Sequence, residues 1–320
     1  MKKVAIEDVR IAGICACVPG NAVANEAKVA EATGIVTRRI AAEGTSVVDL
    51  CVRAAERVLS DTGARPEEFG AILFVSFTQP NRMPAAACEA QARLGFPKGI
   101  IAFDVSLACS GWGYGLYLAG LLARETGRKV LLLDGDVQSA FTGNDETTAP
   151  LLADGGTATV IENCSDCSIA RLPWQFGFAA DGEKGDALRL SQGESIKMDG
   201  FGVFKFVATD VVTHIKEFLS VVNRTIDQSE QSNNLTMTFV PHQPNAYMVR
   251  QLAKSVGIEE ARTAISCDEL GNLSSASVPA TIAWKGVRGP VLFAGFGGGL
   301  SVSVGLIDLD DGCRLSVLEV

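Results

Sequence analysis

The sequence lacks the features that mark nucleic-acid-binding and membrane-spanning proteins. Its 320 residues carry a formal net charge of −9 and contain no cluster of lysine or arginine. Phosphate binding needs a basic surface, so we expect no nucleic-acid partner. No apolar run reaches the length of a membrane span. The hydrophobic fraction of 47% is enough for a large core, and the chain length predicts two domains or two fused halves.

The cysteines do not form the pattern of a disulfide framework or of a zinc site. There are nine, an odd number, and no secretory leader follows Met1, which predicts a reducing cytoplasmic location. Cys15 and Cys17 fall in an apolar strand pattern, whereas Cys164 and Cys167 form a single C-x-x-C in a polar turn. A zinc site needs four ligands at suitable spacing. We therefore expect both pairs to be structural and no metal to be bound.

Residues 100–136 predict a strand, an abrupt turn, a helix and a second strand. Residues 100–105 form a short apolar run, and residues 110–123 are almost all small or apolar, with Gly127 just beyond them. These patterns indicate a buried strand and a helix buried on most sides. Residues 130–134 supply another buried strand, so the unit is βαβ with parallel strands.

Cys109 lies where the first of these strands gives way to the helix. The unpaired amides and the positive dipole end of a helix favour a thiolate, which raises nucleophilicity near neutral pH. Gly111, Gly113 and Gly115 leave little side-chain bulk on the first turns. The alternative is that Cys109 is a small core residue, because a free cysteine behaves as a small hydrophobe. The residues that surround Cys109 in the fold distinguish the nucleophile from the core residue.

The rest of the chain alternates strands and helices. We predict strands at 4–18 (one or two), 71–77, 155–162, 237–240, 264–267 and 291–294, and helices at 47–63, 85–94, 203–222 and 246–256. A turn at 163–166 divides the chain into halves 1–166 and 167–320, and residues 227–234 form a polar loop. Open α/β sheets place ligands at the carboxyl ends of strands, so the site should lie between the halves.

Three further stretches can supply partners for Cys109. Of the two histidines, His214 falls in a helix pattern, while His242 follows a strand and has prolines on both sides that hold the imidazole in one direction. Paired with Cys109, His242 is a candidate base or hydrogen-bond donor. Asn272 taken alone indicates a helix cap or turn. The glycine-rich stretch 295–299 indicates either a tight turn or amides that face an oxyanion.

Four segments together resemble the β-ketoacyl-acyl-carrier-protein synthase III branch of the thiolase-fold condensing enzymes. They are FDVSLACSG at 103–111, VPHQPN at 240–245, GNLSSASVP at 271–279 and GFGGG at 295–299. MPAAAC at 83–88 and MDG at 198–200 also match, in order and with similar spacing. The resemblance covers nearly the whole chain. It implies a five-layered αβαβα α/β fold of two related halves, usually a homodimer.

The resemblance also implies a reaction. Cys109 would take an acyl group from a thioester, and His242 and Asn272 would hydrogen-bond a malonyl thioester as it loses carbon dioxide. The resulting enolate would attack the acyl group, with the oxyanion facing the amides of Cys109 and Gly298. The substrates would be thioesters of an acyl carrier protein or coenzyme A, without a cofactor. The pathway would make fatty acids, specialised lipids or polyketides.

The acyl pocket and the docking surface are predicted on the same basis. Four residues are expected to line the pocket, with Met83 reaching across the dimer: Met83, Trp112, Phe141 and Phe296. Cations are expected to meet an acidic carrier protein: Arg250 and Lys254, with Arg38 and Arg39 nearby.

Three departures from the family concern coenzyme A and the carrier. The tryptophan and arginine that precede its Thr-Gly-Ile segment have no counterpart in residues 28–32. Glu146 stands at a second arginine position, and Tyr247 stands at a carrier-docking arginine. Since an adenine needs a flat stacking partner and phosphates need cations, we predict a carrier-bound acyl donor rather than coenzyme A held in the family's usual way.

Two other functions remain open at this point. An acyltransferase of the same fold would move the acyl group from Cys109 to an amine or a hydroxyl without forming a carbon-carbon bond. A degenerate subunit would only complete a heterodimer. Asn272 favours condensation over the first, and the presence of all three side chains argues against the second.

Overall fold

Two mixed β-sheets form the frame of the computed structural model, which describes residues 2–143, 145–164, 172–227 and 236–320. The strands are β1 (Lys2–Ile6), β2 (Val9–Val18), β3 (Ala22–Ala24), β4 (Thr37–Arg39), β5 (Phe69–Val75), β6 (Ile101–Val105), β7 (Lys129–Val137), β8 (Asp154–Asn163), β9 (Trp174–Ala180), β10 (Leu188–Arg189), β11 (Lys197–Met198), β12 (Thr238–Pro241), β13 (Gly289–Gly297), β14 (Ser301–Leu309) and β15 (Arg314–Glu319). The helices are α1 (Ala27–Thr33), α2 (Val47–Thr62), α3 (Ala86–Arg93), α4 (Gly111–Thr126), α5 (Gly200–Phe206), α6 (Val212–Asp227), α7 (Ala246–Val256), α8 (Cys267–Leu270) and α9 (Ser277–Lys285).

Each large sheet takes one strand from the far end of the chain. The six-stranded sheet has the order β15-β2-β8-β7-β5-β6, and the five-stranded sheet has the order β1-β9-β14-β13-β12. Thus β15 joins the sheet of the first half, parallel to β2, and β1 joins the sheet of the second half, antiparallel to β9. The predicted boundary between residues 166 and 167 lies outside the described residues and stays a prediction.

Helices α4 and α9 lie between the two sheets, where one apolar cluster joins them to both. A second cluster packs α2 and α3 on the outer face of the six-stranded sheet, and a third packs α5, α6 and α7 on the outer face of the other. The result is the five-layered arrangement that the resemblance implies. Within the described ranges, no helix has the length and apolarity needed to cross a bilayer.

Local signals place most helix ends correctly. Helix α2 begins at a capping box, in which Ser46 and Asp49 exchange side-chain and backbone hydrogen bonds, and it ends at Gly63 in the left-handed conformation. Helix α7 has the predicted bounds. The helix predicted at 203–222 runs from α5 to α6 through a π-helical turn at 207–211. Most of the polar loop predicted at 227–234 lies outside the described residues, and so does Cys167.

Two strand predictions need correction. Strand β6 is not buried: it forms the edge of its sheet, and Ile101 is 44% exposed. Both β6 and β7 are parallel as predicted, but β5 lies between them. Residues 264–267 form no strand, because the Gln243 side chain accepts a hydrogen bond from the Ser266 amide at 3.0 Å and α8 then begins.

Helix α4 sits unusually close to both sheets because glycines occupy its first turns. A Cβ atom added at Gly111 would lie 2.5 Å from Val75 Cγ1 of the six-stranded sheet. One added at Gly113 would lie 2.7 Å from Ser303 Cβ and 2.9 Å from Phe293 Cε2, both in the five-stranded sheet. These glycines therefore set the spacing between the sheets at the turn that carries Cys109.

We predict that Gly113→Ala lowers the free energy of unfolding by about 1 to 3 kcal/mol, because the added methyl group overpacks this contact. Urea unfolding followed by circular dichroism measures the change. Gly200→Ala is the matched control, since Gly200 is also in a first helical turn but has no atom within 4 Å of an added Cβ. Equal stability of the two variants would contradict the close packing of α4.

Candidate active site

A cavity of about 330 Å³ brings Cys109, His242 and Asn272 together. Cys109 comes from the first half of the chain, and the other two residues come from the second, as the topology predicts. The remaining lining is mostly apolar and includes Phe77, Leu107, Leu152, Leu188, Leu190, Ile196, Met198, Val203, Met248 and Phe296. Such a lining suits a hydrocarbon chain, with few polar groups to orient its reactive end.

Cys109 lies in the turn between β6 and α4 and is 8% exposed. Burial raises the pKa of its thiol to about 12, while the Ser274 hydroxyl and the amides of Cys109 and Gly298 act in the opposite direction. The Ser274 Oγ atom lies 3.9 Å from Sγ. Burial thus outweighs the helix N-terminus, contrary to the thiolate expected from the sequence. At neutral pH Cys109 is therefore a thiol, and a nucleophilic role would need a proton acceptor.

The turn between β13 and β14 passes directly over Cys109. A Cβ atom added at Gly297 would lie 2.9 Å from Sγ, so only glycine fits there. Ser301 fixes the turn: its hydroxyl donates to the Gly298 carbonyl at 2.9 Å and lies 2.7 Å from the Ser110 hydroxyl. The amides of Cys109 and Gly298 lie close enough to the sulfur atom to lower the pKa of the thiol.

His242 follows β12 and is almost completely buried. Its amide donates to the Ala294 carbonyl at 2.7 Å, and its ring meets Phe296 edge to face at 5.3 Å between centroids. Burial lowers the pKa of His242 to about 3, with the Ser274 backbone acting in the opposite direction. Within the described ranges Nδ1 has no hydrogen-bond partner. His242 is therefore neutral at physiological pH. It is suited to donating a hydrogen bond, and it is only a weak base.

Hydrogen bonds hold both the backbone and the side chain of Asn272. Its amide donates to the Leu151 carbonyl at 3.0 Å, and its carbonyl accepts from Gln138 Nε2 at 2.7 Å. Its side-chain Oδ1 accepts from the Ser274 amide at 2.9 Å, the two-residue turn that an isolated asparagine indicates. That bond uses the oxygen and leaves Nδ2 as the donor of the side chain. The turn and the site interpretations of Asn272 are thus compatible.

Of the four predicted pocket residues, the structure places only Phe296 along the cavity. Trp112 was wrongly predicted: it is 1% exposed in the core between the sheets, edge to face with Phe293 at 5.1 Å, because α4 is covered on both sides. Phe141 is half-buried and does not line the cavity, but its carbonyl accepts from the amide of Ile196, which does. Met83 is 85% exposed, and its contact across a dimer stays a prediction.

Sequence patterns did not place the segment 188–203 in the pocket, although MDG at 198–200 is one of the matching motifs, and this segment supplies five apolar lining residues. Its strands β10 and β11 have two residues each, too few for a periodic signal. Ser274 was also missed as a neighbour of the sulfur, although it belongs to the GNLSSASVP segment. Ser274 has a left-handed backbone conformation, with a φ of 54°. No sequence pattern predicts this conformation for a residue other than glycine.

The predicted docking cations fall into two groups. Arg250 and Lys254 are exposed on α7, and Met248 of the same helix lines the cavity. Arg250 pairs with Glu260 at 2.8 Å. Arg38 and Arg39 were wrongly predicted to meet a carrier, because both are bound within the protein. Arg38 donates to Asn25 and the Ala149 carbonyl, and Arg39 donates to the Pro19 carbonyl and Glu319.

Two family models match the chain, both described as 3-oxoacyl-[acyl-carrier-protein] synthase III: one at residues 103–178 and one, for the C-terminal part, at 227–309. A curated β-ketoacyl-[acyl-carrier-protein] synthase III from Natranaerobius thermophilus is 30% identical over 292 residues, covering 84% of this chain and 86% of the relative. The chain belongs to the β-ketoacyl-acyl-carrier-protein synthase III family. It is therefore an acyltransferase of the condensing-enzyme type.

Solved structures of the synthase III family have the same thiolase-like α/β fold. A 3-oxoacyl-(acyl-carrier protein) synthase from Burkholderia xenovorans LB400 is 28% identical, with a TM-score of 0.89 over 100% of this chain and 99% of that one. The priming β-ketosynthase from the R1128 polyketide pathway is 26% identical, with a TM-score of 0.83 over 98% and 99%. The fold prediction is confirmed.

We predict that His242 makes the protein acid-sensitive. Its folded pKa lies below its unfolded value, so the stability that neutral His242 contributes is present above about pH 6.5 and is lost as pH falls. From pH 7 to pH 5 this loss is about 2 kcal/mol. His242→Gln should therefore lose about 2 kcal/mol less over that interval than the wild type, as measured by urea unfolding. His214→Gln leaves His242 in place and should keep the wild-type loss. Equal losses in all three proteins would contradict a buried, neutral His242.

Proposed function

We propose that this protein catalyses decarboxylative condensation: acyl transfer to Cys109, followed by Claisen condensation with a malonyl thioester to give a β-ketoacyl thioester. The observation that carries the proposal is that Cys109, His242 and Asn272 line one apolar cavity. A nucleophile and two neutral donors in a water-poor site are what the two half-reactions need.

In the first half-reaction the Cys109 sulfur attacks the thioester carbonyl. The amides of Cys109 and Gly298 stabilise the oxyanion, because the glycine turn holds both beside the sulfur. The donor thiol leaves, and the acyl chain remains on Cys109 among the apolar side chains. The cavity of about 330 Å³ can hold a hydrocarbon chain of modest size. We place the reaction in fatty-acid, specialised-lipid or polyketide synthesis in the cytoplasm, as the family membership suggests.

In the second half-reaction the malonyl thioester loses carbon dioxide. The enolate oxygen accepts hydrogen bonds from His242 and from Nδ2 of Asn272, and the enolate carbon attacks the acyl group on Cys109. Burial favours this step, because neutral donors in a medium of low polarity stabilise developing negative charge more strongly than they would in water.

The rival acyltransferase would pass the acyl group to an amine or a hydroxyl. That reaction needs a base to take the proton of the acceptor, and the pKa of His242, lowered by burial to about 3, makes it a poor one. Asn272 would also have no enolate to stabilise. Both observations favour condensation.

Separating the half-reactions tests this assignment. Cys109→Ala should abolish the covalent acyl adduct, read as the mass of the intact protein after incubation with an acyl thioester. His242→Ala and Asn272→Ala should still form the adduct but release carbon dioxide from a malonyl thioester about 100- to 1000-fold more slowly, since each loses one enolate donor.

Cys88→Ala is the matched control, because Cys88 is an exposed cysteine outside the cavity. It should keep both half-reactions. An adduct that persists in Cys109→Ala would refute the nucleophile. Normal release of carbon dioxide by His242→Ala or Asn272→Ala would refute the condensing role, and acyl transfer to an amine or a hydroxyl in its place would establish the rival.

We also propose a homodimer formed along β6. This strand is an edge of its sheet, and Ile101 on it and Met83 are among the exposed large apolar residues, at 44% and 85%. Exposed apolar side chains beside a free strand edge favour pairing with a second chain. In such a dimer Met83 would close the pocket of the partner.

We further propose that the acyl donor is held by an acyl carrier protein. Tyr247, Arg250 and Lys254 share one exposed face of α7, at helical spacings of three and four residues, while Met248 lines the cavity. A carrier protein presents only its pantetheine arm to the cavity and its acidic surface to the cations. Coenzyme A would instead be held, in the family's usual way, by a tryptophan and two arginines that residues 28–32 and Glu146 do not provide.

The same acyl group presented on a carrier protein and on coenzyme A should acylate Cys109 faster from the carrier. Arg250→Ala and Lys254→Ala should each lower kcat/KM for the carrier about fivefold and leave the coenzyme A rate unchanged, as expected for one exposed ion pair of about 1 kcal/mol. Arg57→Ala is the control, because Arg57 is a similarly exposed helical arginine paired with Asp61. An equal or faster coenzyme A rate would contradict the proposal.

A further inference from the structure

Two buried carboxyl groups on β7 have no role in the reaction described above. Asp134 and Asp136 are both 0% exposed and lie beside the short helix at 274–276 that follows Asn272. Asp134 accepts a hydrogen bond from the Ser275 hydroxyl. Burying a carboxyl group is unfavourable unless its oxygens are paired, so each group needs an explanation.

The two oxygens of Asp136 differ sharply. Oδ1 accepts three hydrogen bonds, from the Ser76 hydroxyl at 2.8 Å, the Phe77 amide at 3.0 Å and the Thr78 hydroxyl at 3.0 Å. Oδ2 has no hydrogen-bond partner within the described ranges. The first oxygen fixes the carboxyl group in place, and the second is free to hold a proton.

Ser274 connects this carboxyl group to the nucleophile. Its hydroxyl lies 3.9 Å from Cys109 Sγ and is also among the groups that lower the pKa of Asp136. No direct hydrogen bond joins Ser274 to Oδ2, so the hydroxyl must rotate from the sulfur toward the carboxyl group for a proton to pass. Ser274 has a left-handed φ of 54°, and its amide donates to Asn272 Oδ1, so the residue is held beside Cys109.

The alternatives for taking the Cys109 proton are poor. Burial lowers the pKa of His242 to about 3, so this imidazole holds a proton weakly. Burial raises the pKa of Asp136 to about 7, opposed by the Phe77 amide and by the hydroxyls around it. A group that titrates near the working pH can both accept and return a proton. The titratable groups that face Asp136 are Asp134, Cys51 of α2 and Cys109, whereas its contacts from residues 76–78 are uncharged.

We propose that Asp136, acting through the Ser274 hydroxyl, accepts the proton of Cys109 during acyl transfer, an inference that rests on the function proposed above. As the sulfur bonds to the thioester carbon, the S–H proton passes to Ser274 Oγ and the hydroxyl proton of Ser274 passes to Asp136 Oδ2. When the intermediate collapses, the carbon-sulfur bond of the donor breaks. Asp136 then returns its proton to Ser274 Oγ, and the Ser274 hydroxyl gives its own proton to the sulfur of the departing thiol, so that atoms and charges balance.

Asp136→Asn tests the proposal with little change of shape. At pH 7 it should slow acylation of Cys109 by an acyl thioester about 100-fold, the lower range for loss of a general base. The wild-type rate should rise through about pH 7, and this inflection should be absent in the variant, because asparagine cannot accept the proton. Asp134→Asn removes the neighbouring carboxyl group but not the Ser274 route, so it should keep both the rate and the inflection.

Alkylation of Cys109 by iodoacetamide distinguishes a proton acceptor from a nearby negative charge. If Asp136 only repels the thiolate, its neutralisation makes ionisation of Cys109 easier, and Asp136→Asn should be alkylated faster than the wild type at pH 7. Our proposal expects slower alkylation. Faster alkylation, or an unchanged pH profile, overturns it.

Ser274→Ala provides an independent test that leaves Asp136 in place, and it decides the question if Asp136→Asn does not fold. It should lose the inflection near pH 7, and a retained inflection overturns the proposal. If the wild type forms no acyl adduct, the proposed function fails. The iodoacetamide profiles still decide the proton route, because they need no thioester.

Discussion

The structure depends on the close approach of two sheets to the start of α4. Glycines at 111 and 113 let that helix touch both sheets, and Gly297 lets the turn between β13 and β14 pass over the Cys109 sulfur. Packing at this density leaves little room for adjustment. The position of the nucleophile, the direction of the amides beside it and the joining of the two halves all follow from the absence of side chains at these few positions.

That density explains the electrostatics of the site. Cys109 and His242 are both buried, so each is held in its neutral form, the thiol by a raised pKa and the imidazole by a lowered one. A positive charge on His242 would stabilise an enolate more strongly. The free energy needed to bury that charge, however, would exceed the stabilisation that one charged donor gives. The proposed catalysis by two neutral donors suits a buried cavity of this kind.

Local patterns predicted most of the helices and strands, whereas the five layers were implied only by the family resemblance that four short motifs carry. Those motifs also contain the three central side chains. Helix α7 has its predicted bounds because Asn245 caps one end and Gly257 ends the other. Strand β6 looks like a buried strand in sequence, yet its place at a sheet edge depends on pairing that no local pattern encodes. Trp112 was misplaced for a similar reason, since its surroundings come from a distant strand. Residues 264–267 have the composition of a strand, but the Gln243 side chain takes the hydrogen bond that a neighbouring strand would have made.

The exchange of β1 and β15 between the sheets has a consequence for how the chain folds during synthesis. The sheet of the first half cannot gain β15 until the ribosome has translated the whole second half, and closing it requires contacts between residues about 300 positions apart, such as Cys17 and Leu318. Contacts over so long a loop form late and slow the search for the native state. The nascent first half therefore has one side of β2 unpaired until the second half has been synthesised.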